Sequence, residues 1–180
     1  MKSHQIIFLG LIFFAVVSCK ISGESNSTPQ ISMYSKPIVN DNDSLSIYYA
    51  GNDNYDYITD TISAGDAVTF KFILNAYYNN LVEFDIIQSD TTSSKIVLPD
   101  DSAMDAVFVK ASSDYSQGKF VFIAKQSYVY FPFTYLATAP STSSIIRFYL
   151  KSDTNFGSSS GSNYVSFRLK IPIVAKKWVS

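Results

Sequence analysis

In Ala67-Val68-Thr69-Phe70-Lys71-Phe72-Ile73-Leu74-Asn75, a large apolar side chain recurs at every second residue. On extended backbone successive side chains point to opposite sides, so Val68, Phe70, Phe72 and Leu74 share one face and Thr69, Lys71 and Ile73 the other. A helix would scatter the same residues around its axis. Ala64-Gly65-Asp66 supplies a turn before this strand, and Tyr78-Asn79-Asn80 supplies one after it. The second turn leads into Leu81-Val82-Glu83-Phe84-Asp85-Ile86-Ile87-Gln88, which predicts a hairpin.

Working outward, short alternating runs separated by Asn, Asp, Ser, Thr, Gly or Pro mark further strands at 106–110, 119–125, 128–137, 145–151 and 164–174. Gln117-Gly118 reads as the turn before Lys119. Pro132 and Pro172 cannot donate to a strand ladder, so each requires an edge position or a bulge. Residues 100–105 suit one helical turn, and the Ser- and Gly-rich stretch 155–163 forms a loop between the last two strands. No segment of the body shows sustained helical periodicity. About eight short strands in a single domain, residues 31–180, predict an all-β fold, a two-layer antiparallel β-sandwich of Ig-like type.

Composition agrees with that class and removes several functions. The 180 residues include 13 Tyr and 14 Phe against seven Gly, a mixture that suits pleated sheet. Fourteen Lys and Arg against 15 Asp and Glu give a net charge of −1, with no basic block, so the chain carries no footprint for nucleic acid. The single His is His4 and the single Cys is Cys19. The body therefore lacks the parts for His-assisted Ser or Cys hydrolysis, for His-ligated metal sites and for thiol redox chemistry. No phosphate-binding glycine loop and no Gly-x-Ser-x-Gly elbow occurs. The expectation is a protein without catalytic residues, metal or cofactor.

Lys2 followed by the apolar or small run from Ile6 to Val17 reads as a targeting segment, residues 1–18. The run is shorter than the ~20 residues a helix needs to span a bilayer. It ends at Val16-Val17-Ser18-Cys19, which resembles the lipobox of bacterial lipoproteins. That resemblance implies that Cys19 is lipidated and becomes the mature N-terminus, and that the chain partners a membrane through the lipid. Residues 19–30 are polar and read as a flexible tether. The same resemblance implies a Gram-negative envelope and, with Lys20 in place of Asp in the second mature position, the outer membrane over the inner one. Glu24 alone supplies acid near Cys19, so display on the outer surface or the periplasmic side stays open.

Thr59-Asp60-Thr61-Ile62-Ser63-Ala64-Gly65-Asp66-Ala67-Val68-Thr69-Phe70 resembles the opening of immunoglobulin-like and bacterial fibronectin-like modules, where a Gly-Asp turn leads into a Val-x-Phe strand. Ile145 to Asp153 followed by Phe167 to Val174 resembles the last hairpin of such a domain. Together with the lipobox, the whole looks like the small Ig-like lipoproteins of Bacteroidota-type bacteria. The resemblance implies O-glycosylation at Asp-Ser/Thr triplets, of which Asp43-Ser44-Leu45, Asp60-Thr61-Ile62, Asp90-Thr91-Thr92 and Asp101-Ser102-Ala103 match.

Three sets of residues are candidates for chemistry. Glu83 and Asp85, two apart on a strand, share a face as paired carboxylates of a glycosidase would, although the alternation with Val82, Phe84 and Ile86 reads first as a wet face opposite a buried one. Asp41-Asn42-Asp43-Ser44 and Asn52-Asp53-Asn54-Tyr55-Asp56 place oxygen ligands at alternate positions, but without the Gly and Glu of an EF-hand loop they read as structural turns. Tyr55 and Tyr57 beside Asn and Asp, and Tyr77 and Tyr78 beside Asn79 and Asn80, offer an apolar ring next to hydrogen-bonding groups. That is the chemistry a sugar face needs, and these four tyrosines are the candidate ligand-binding residues. Trp178 reads as a terminal packing residue. The expected role is a binding or display module of the cell envelope, with a glycan or an envelope protein as partner.

Overall fold

The computed structural model describes residues 27–157 and 160–176. The targeting segment, Cys19, most of the tether, part of the 155–163 loop and Trp178 lie outside the described residues. The strands run β1 (Gln30–Met33), β2 (Ile38–Val39), β3 (Asp43–Ser44), β4 (Ile47–Tyr49), β5 (Tyr57–Thr59), β6 (Ile62–Ser63) and β7 (Ala67–Asn75). They continue through β8 (Leu81–Gln88), β9 (Ser94–Val97), β10 (Lys119–Val121), β11 (Tyr128–Ala137), β12 (Ile145–Ser152), β13 (Tyr164–Lys170) and β14 (Ile173–Val174). One helical turn, α1 (Asp101–Asp105), lies between β9 and β10.

One layer is ordered β3-β2-β7-β11-β9, with β1 also on β7, and the other β10-β8-β12-β13-β5-β4. Taking β1, β7, β11 and β9 as A, B, E and D, and β8, β12 and β13 as C, F and G, this is the ABED and CFG division of an Ig-like sandwich. The all-β, two-layer sandwich expected from alternation is the observed architecture. Pairing is antiparallel except where β5 joins β13 and β6 joins β14, two short parallel contacts that the sequence reading lacks.

Alternation decides which side chains make the core. Val68, Phe70, Phe72 and Leu74 of β7 are all fully buried, and Phe84 and Ile86 of β8 and Ile146, Phe148 and Leu150 of β12 face them from the other layer. Each buried Phe or Leu contributes about 1.5–3 kcal/mol relative to exposure, and rings from both layers interlock. Phe70 stacks on Phe133 at 5.1 Å within one layer, and Phe72 meets Phe148 edge-on at 4.9 Å across the layers.

The hairpin expected between β7 and β8 is not formed. β7 pairs with β1, β2 and β11, and β8 with β10 and β12, so the chain crosses between layers at Ala76 to Asn80. Two strands with apolar faces bury both faces better when those faces oppose each other than when the strands lie side by side. The arch is held by Ala76 N–H donating to the Ser127 carbonyl at 2.8 Å and Leu81 N–H donating to the Gln126 carbonyl at 2.6 Å.

Other expected boundaries shift for identifiable reasons. Residues 106–110 form no strand: Asp100 caps Ala103 N–H at 2.9 Å and starts α1, after which Phe108 makes only an isolated bridge to Phe122. The strand expected at 119–125 ends at Val121, and the one expected at 164–174 breaks after Lys170, where Pro172 supplies no donor. Pro132 sits inside an unbroken register between Tyr128↔Asn75 and Leu136↔Ala67, with no bulge. Its nitrogen is accommodated because β9 pairs only from Thr134 onward, leaving Pro132 on an open edge. At the N-terminal side, Gln30 opens β1 and the Ser27 carbonyl already accepts a bond from Thr154 Oγ1 at 3.3 Å, so the end of the expected tether belongs to the fold.

Candidate functional site

The outward face of the ABED layer carries a row of tyrosines. Along β11, Val129, Phe131 and Phe133 enter the core, which leaves Tyr128 and Tyr130 outside at 54% and 43% exposure. In register, Tyr130 lies across Ile73 from Ser32, and Tyr128 lies across Asn75 from Gln30. Tyr34, just past β1, is tied to this layer by its N–H to the Lys71 carbonyl, and its ring meets Tyr130 edge-on at 5.5 Å. Tyr77 joins at the end of β7: Asn75 Oδ1 accepts its N–H at 2.8 Å and its hydroxyl donates to Gln30 Oε1 at 3.1 Å. Tyr77 holds a left-handed φ of 59°, a conformation the Asn75 turn supports.

Tyr34, Tyr77, Tyr128 and Tyr130 therefore present four exposed rings on one broad sheet face, with Tyr78 exposed at the tip of the arch. Exposed rings on a flat face offer apolar surface for stacking and hydroxyls for hydrogen bonding. Tyr77 and Tyr78 are legible in the sequence, whereas Tyr34, Tyr128 and Tyr130 are not. The signal for the last two was present, since Tyr128 and Tyr130 stand out of phase with Val129 and Phe131.

The Tyr55 and Tyr57 loop is a different object from the expected platform. Tyr57 pairs with Leu169 and turns inward, meeting Phe167 edge-on at 5.6 Å. It lines a 220 Å³ gap between the layers with Ile31, Met33, Ile47 and Phe72, so its ring is packing rather than surface. Tyr49 closes over its outer edge at 5.7 Å. Tyr55 is covered by Lys170, whose Nζ lies 4.8 Å from the ring centroid. The loop between them is fastened. Arg168 donates from its backbone N to Asp56 Oδ2 at 2.7 Å and from its guanidinium to both Asp56 oxygens. These bonds, the side-chain one foremost, hold the Asp56 carboxyl below its ordinary pKa. Asn52 Oδ1 caps Asn54 and Tyr55 N–H groups, the local turn chemistry expected of an Asx-rich stretch.

Glu83 and Asp85 do share the outward face of β8, but that face is not simply wet. β8 is an interior strand with β10 on one side and β12 on the other. Asp85 lies between Lys119 of β10 and Tyr149 of β12 in register, and Tyr149 is followed by Ser166 of β13. Crowded by those neighbours, Asp85 is only 8% exposed and its Oδ1 is buried without a hydrogen-bond partner. Burial first, and the Glu83 charge second, push its carboxyl above the ordinary value. Glu83, Asp85, Arg147, Tyr149 and Ser166 line a cleft of 300 Å³.

A wider depression of 540 Å³ opens between β8, β9 and the turn at Tyr115 to Gly118, with Ile86, Ile96 and Phe120 at its floor and Gln88, Lys95 and Gln117 around it. Among the described residues, no group of three or more His, Cys, Asp or Glu gathers as a metal site would require. Asn42 is spent on a local bond to the Asn40 carbonyl, and Asn40 ties its loop to the start of β7, donating to Asp66 Oδ1 and accepting from Ala67 N–H. In the four Asp-Ser/Thr triplets, Ser44, Thr61, Thr91 and Ser102 are all exposed. Asp90 of the third organises its own loop, accepting from Thr92, Ser93 and Ser141, and these bonds hold its carboxyl far below the ordinary range.

No protein-family model matches the chain, and no curated protein does. Among solved structures, domains 4 and 5 of the S-layer protein SbsC are similar at 14% identity and a TM-score of 0.31. The similarity covers 76% of this chain and 53% of that one, so the chain spans about half of its length. A likeness at that TM-score says nothing about this chain's role. Among the described residues, no helix is long and apolar enough to cross a membrane.

Proposed function

We propose that the chain is a non-catalytic, lipid-anchored module of the bacterial cell envelope that captures a glycan strand on the outward face of its ABED layer. The observation that carries the reading is the row Tyr34, Tyr130, Tyr128 and Tyr77, four exposed rings held on one sheet face by register and by the Gln30 and Asn75 side chains. A flat sugar ring buries its C–H surface against such a row while Gln30, Ser32 and the phenol hydroxyls serve its hydroxyl groups. Absence of Cys beyond Cys19 and of His beyond His4 supports the non-catalytic part. The Val16-Val17-Ser18-Cys19 lipobox supports the anchor.

The test is migration of the protein through native gels cast with a panel of plant, host and microbial polysaccharides. Retardation in one or a few gels is expected, and Tyr130→Ala is expected to weaken it about tenfold, the equivalent of ~1.4 kcal/mol. Because Tyr130 lies outside the core, the same substitution costs about 1 kcal/mol of stability or less. Retardation that survives Tyr130→Ala combined with Tyr34→Ala overturns the assignment of the site. Free migration in every gel, with a protein partner recovered by crosslinking in the envelope, replaces glycan capture with an assembly or adhesion role.

A further inference from the structure

We infer that the cleft between Glu83, Asp85, Arg147, Tyr149 and Ser166, on the face opposite the tyrosine row, is a second binding site and that it receives a primary ammonium group. Asp85 is 8% exposed, it lines the cleft, and its Oδ1 has no hydrogen-bond partner. A buried acceptor left unpaired costs stability, and more when it is charged. A sheet face pays that cost for nothing if Asp85 is structural, since Asn or Thr would fill the position without a charge. A site that gives up stability for a charged group is the ordinary pattern of a ligand contact.

The neighbours specify what the ligand presents. Glu83 lies two residues along the same strand, so two carboxylates share one patch, and the ligand must bring a hydrogen-bond donor to Asp85. From β10, Lys119 faces Asp85; from β12, Tyr149 faces Asp85 and Lys151 faces Glu83, with Arg147 one pair further along; from β13, Ser166 and Tyr164 complete the rows. Among the described residues the ion pairs are Lys110 with Asp101 and Asp105, and Arg168 with Asp56. Neither Glu83 nor Asp85 is in that set, although three cationic side chains surround them.

The number of oxygen ligands decides between ligand types. A divalent ion needs six or more oxygens, more than two carboxylates and two hydroxyls on one sheet face supply. A primary ammonium carries one charge and three donors, which two carboxylates and one hydroxyl, of Tyr149 or Ser166, can satisfy. Arg147 and the Tyr149–Tyr164 ring pair, stacked at 5.5 Å, then border the rest of the ligand. An amino sugar and a lysine side chain both present this group.

The experiment is calorimetric titration of the protein at pH 7 with a glucosamine tetramer, its fully N-acetylated counterpart, Nα-acetyl-lysine methylamide and calcium chloride, on the wild type and on Asp85→Asn, Glu83→Gln and Tyr130→Ala. Binding of the glucosamine tetramer but not of its acetylated form is expected. Asp85→Asn is expected to weaken it at least tenfold, and Glu83→Gln by less. Binding of the lysine derivative as well makes the ammonium alone the recognised group, and its absence makes the source an amino sugar. Any contribution of the tyrosine row falls with Tyr130→Ala equally for the free and the acetylated tetramer, whereas Asp85→Asn lowers only the difference between them, which separates this site from the row.

Asp85→Asn also gives a readout in stability, to be set beside the loss of binding. A carboxyl whose folded pKa is raised destabilises the fold as pH rises through that value, so removing its charge raises Tm at pH 7. The gain fades below the ordinary carboxylate range, where Asp85 is protonated in both states. A variant that is more stable at pH 7 yet no longer binds the tetramer supports the inference. Equal binding of the acetylated and free tetramers, binding of calcium lost on Asp85→Asn, or no binding by any of the four probes overturns it.

Discussion

Replacing Phe72 with Ala lowers the unfolding free energy by about 3–5 kcal/mol, read as a fall in the urea midpoint at unchanged slope. Phe72 is fully buried at the middle of β7. Its ring touches Phe70 and Phe133 in its own layer, at 6.1 and 5.5 Å, and Phe148 and Phe167 in the facing layer, at 4.9 and 6.4 Å. Truncation therefore removes contacts on both sides of the sandwich, and the strands around it are too tightly paired to collapse into the space. A domain of this kind has about 5–15 kcal/mol in total, so one substitution consumes a large share. A loss under about 1 kcal/mol would mean that the layers do not interlock through this ring.

Gly118→Ala is the second large effect, at least about 2 kcal/mol, and Gly157→Ala is its control. Both glycines have left-handed φ, 66° at Gly118 and 52° at Gly157. A Cβ at Gly157 meets nothing within 4 Å, whereas one at Gly118 is driven into the backbone carbonyl of Ile86. The approach exists because Ile86 N–H donates to the Gly118 carbonyl at 2.8 Å, which docks the turn against β8. Gly157→Ala isolates the cost of the backbone conformation, about 1 kcal/mol, and the excess in Gly118→Ala measures the clash. Equal losses in the two thermal melts would refute the close approach. Since this turn sets Lys119 opposite Asp85, Gly118→Ala is also expected to disturb the outward face of the CFG layer.

Much of the sandwich is legible in the chain because alternation is a local property. β7 and β11 have the bounds that the side-chain pattern predicts, and β12 extends one residue further. The six strands before Ala67 are two to four residues long, too short for a periodic signal, and they are held by what they pair with rather than by their own pattern. Sites were less legible than strands. Tyr57 stands in the same polar company as Tyr55, yet its pairing with Leu169 turns it into the gap between the layers. Tyr130 reads as one more apolar strand residue until its neighbours Val129 and Phe131 are seen to take the inward side.

By itself the sequence determined the fold class, the inward faces of the long strands and the shortage of His and Cys, because each of these depends on residue type and on neighbours one or two positions away. Only the tertiary structure decided that β7 and β8 face each other across the core instead of pairing, that four tyrosines share one outer face, and that Asp85 is buried on the opposite one. Exposure and partnership are set by strands distant in the chain: β10 reaches β8 from beyond α1, and β1 reaches β7 from the N-terminal side. A carboxylate on a strand's polar face stays wet at an edge and loses its water in the interior of a sheet, and alternation is the same in both places.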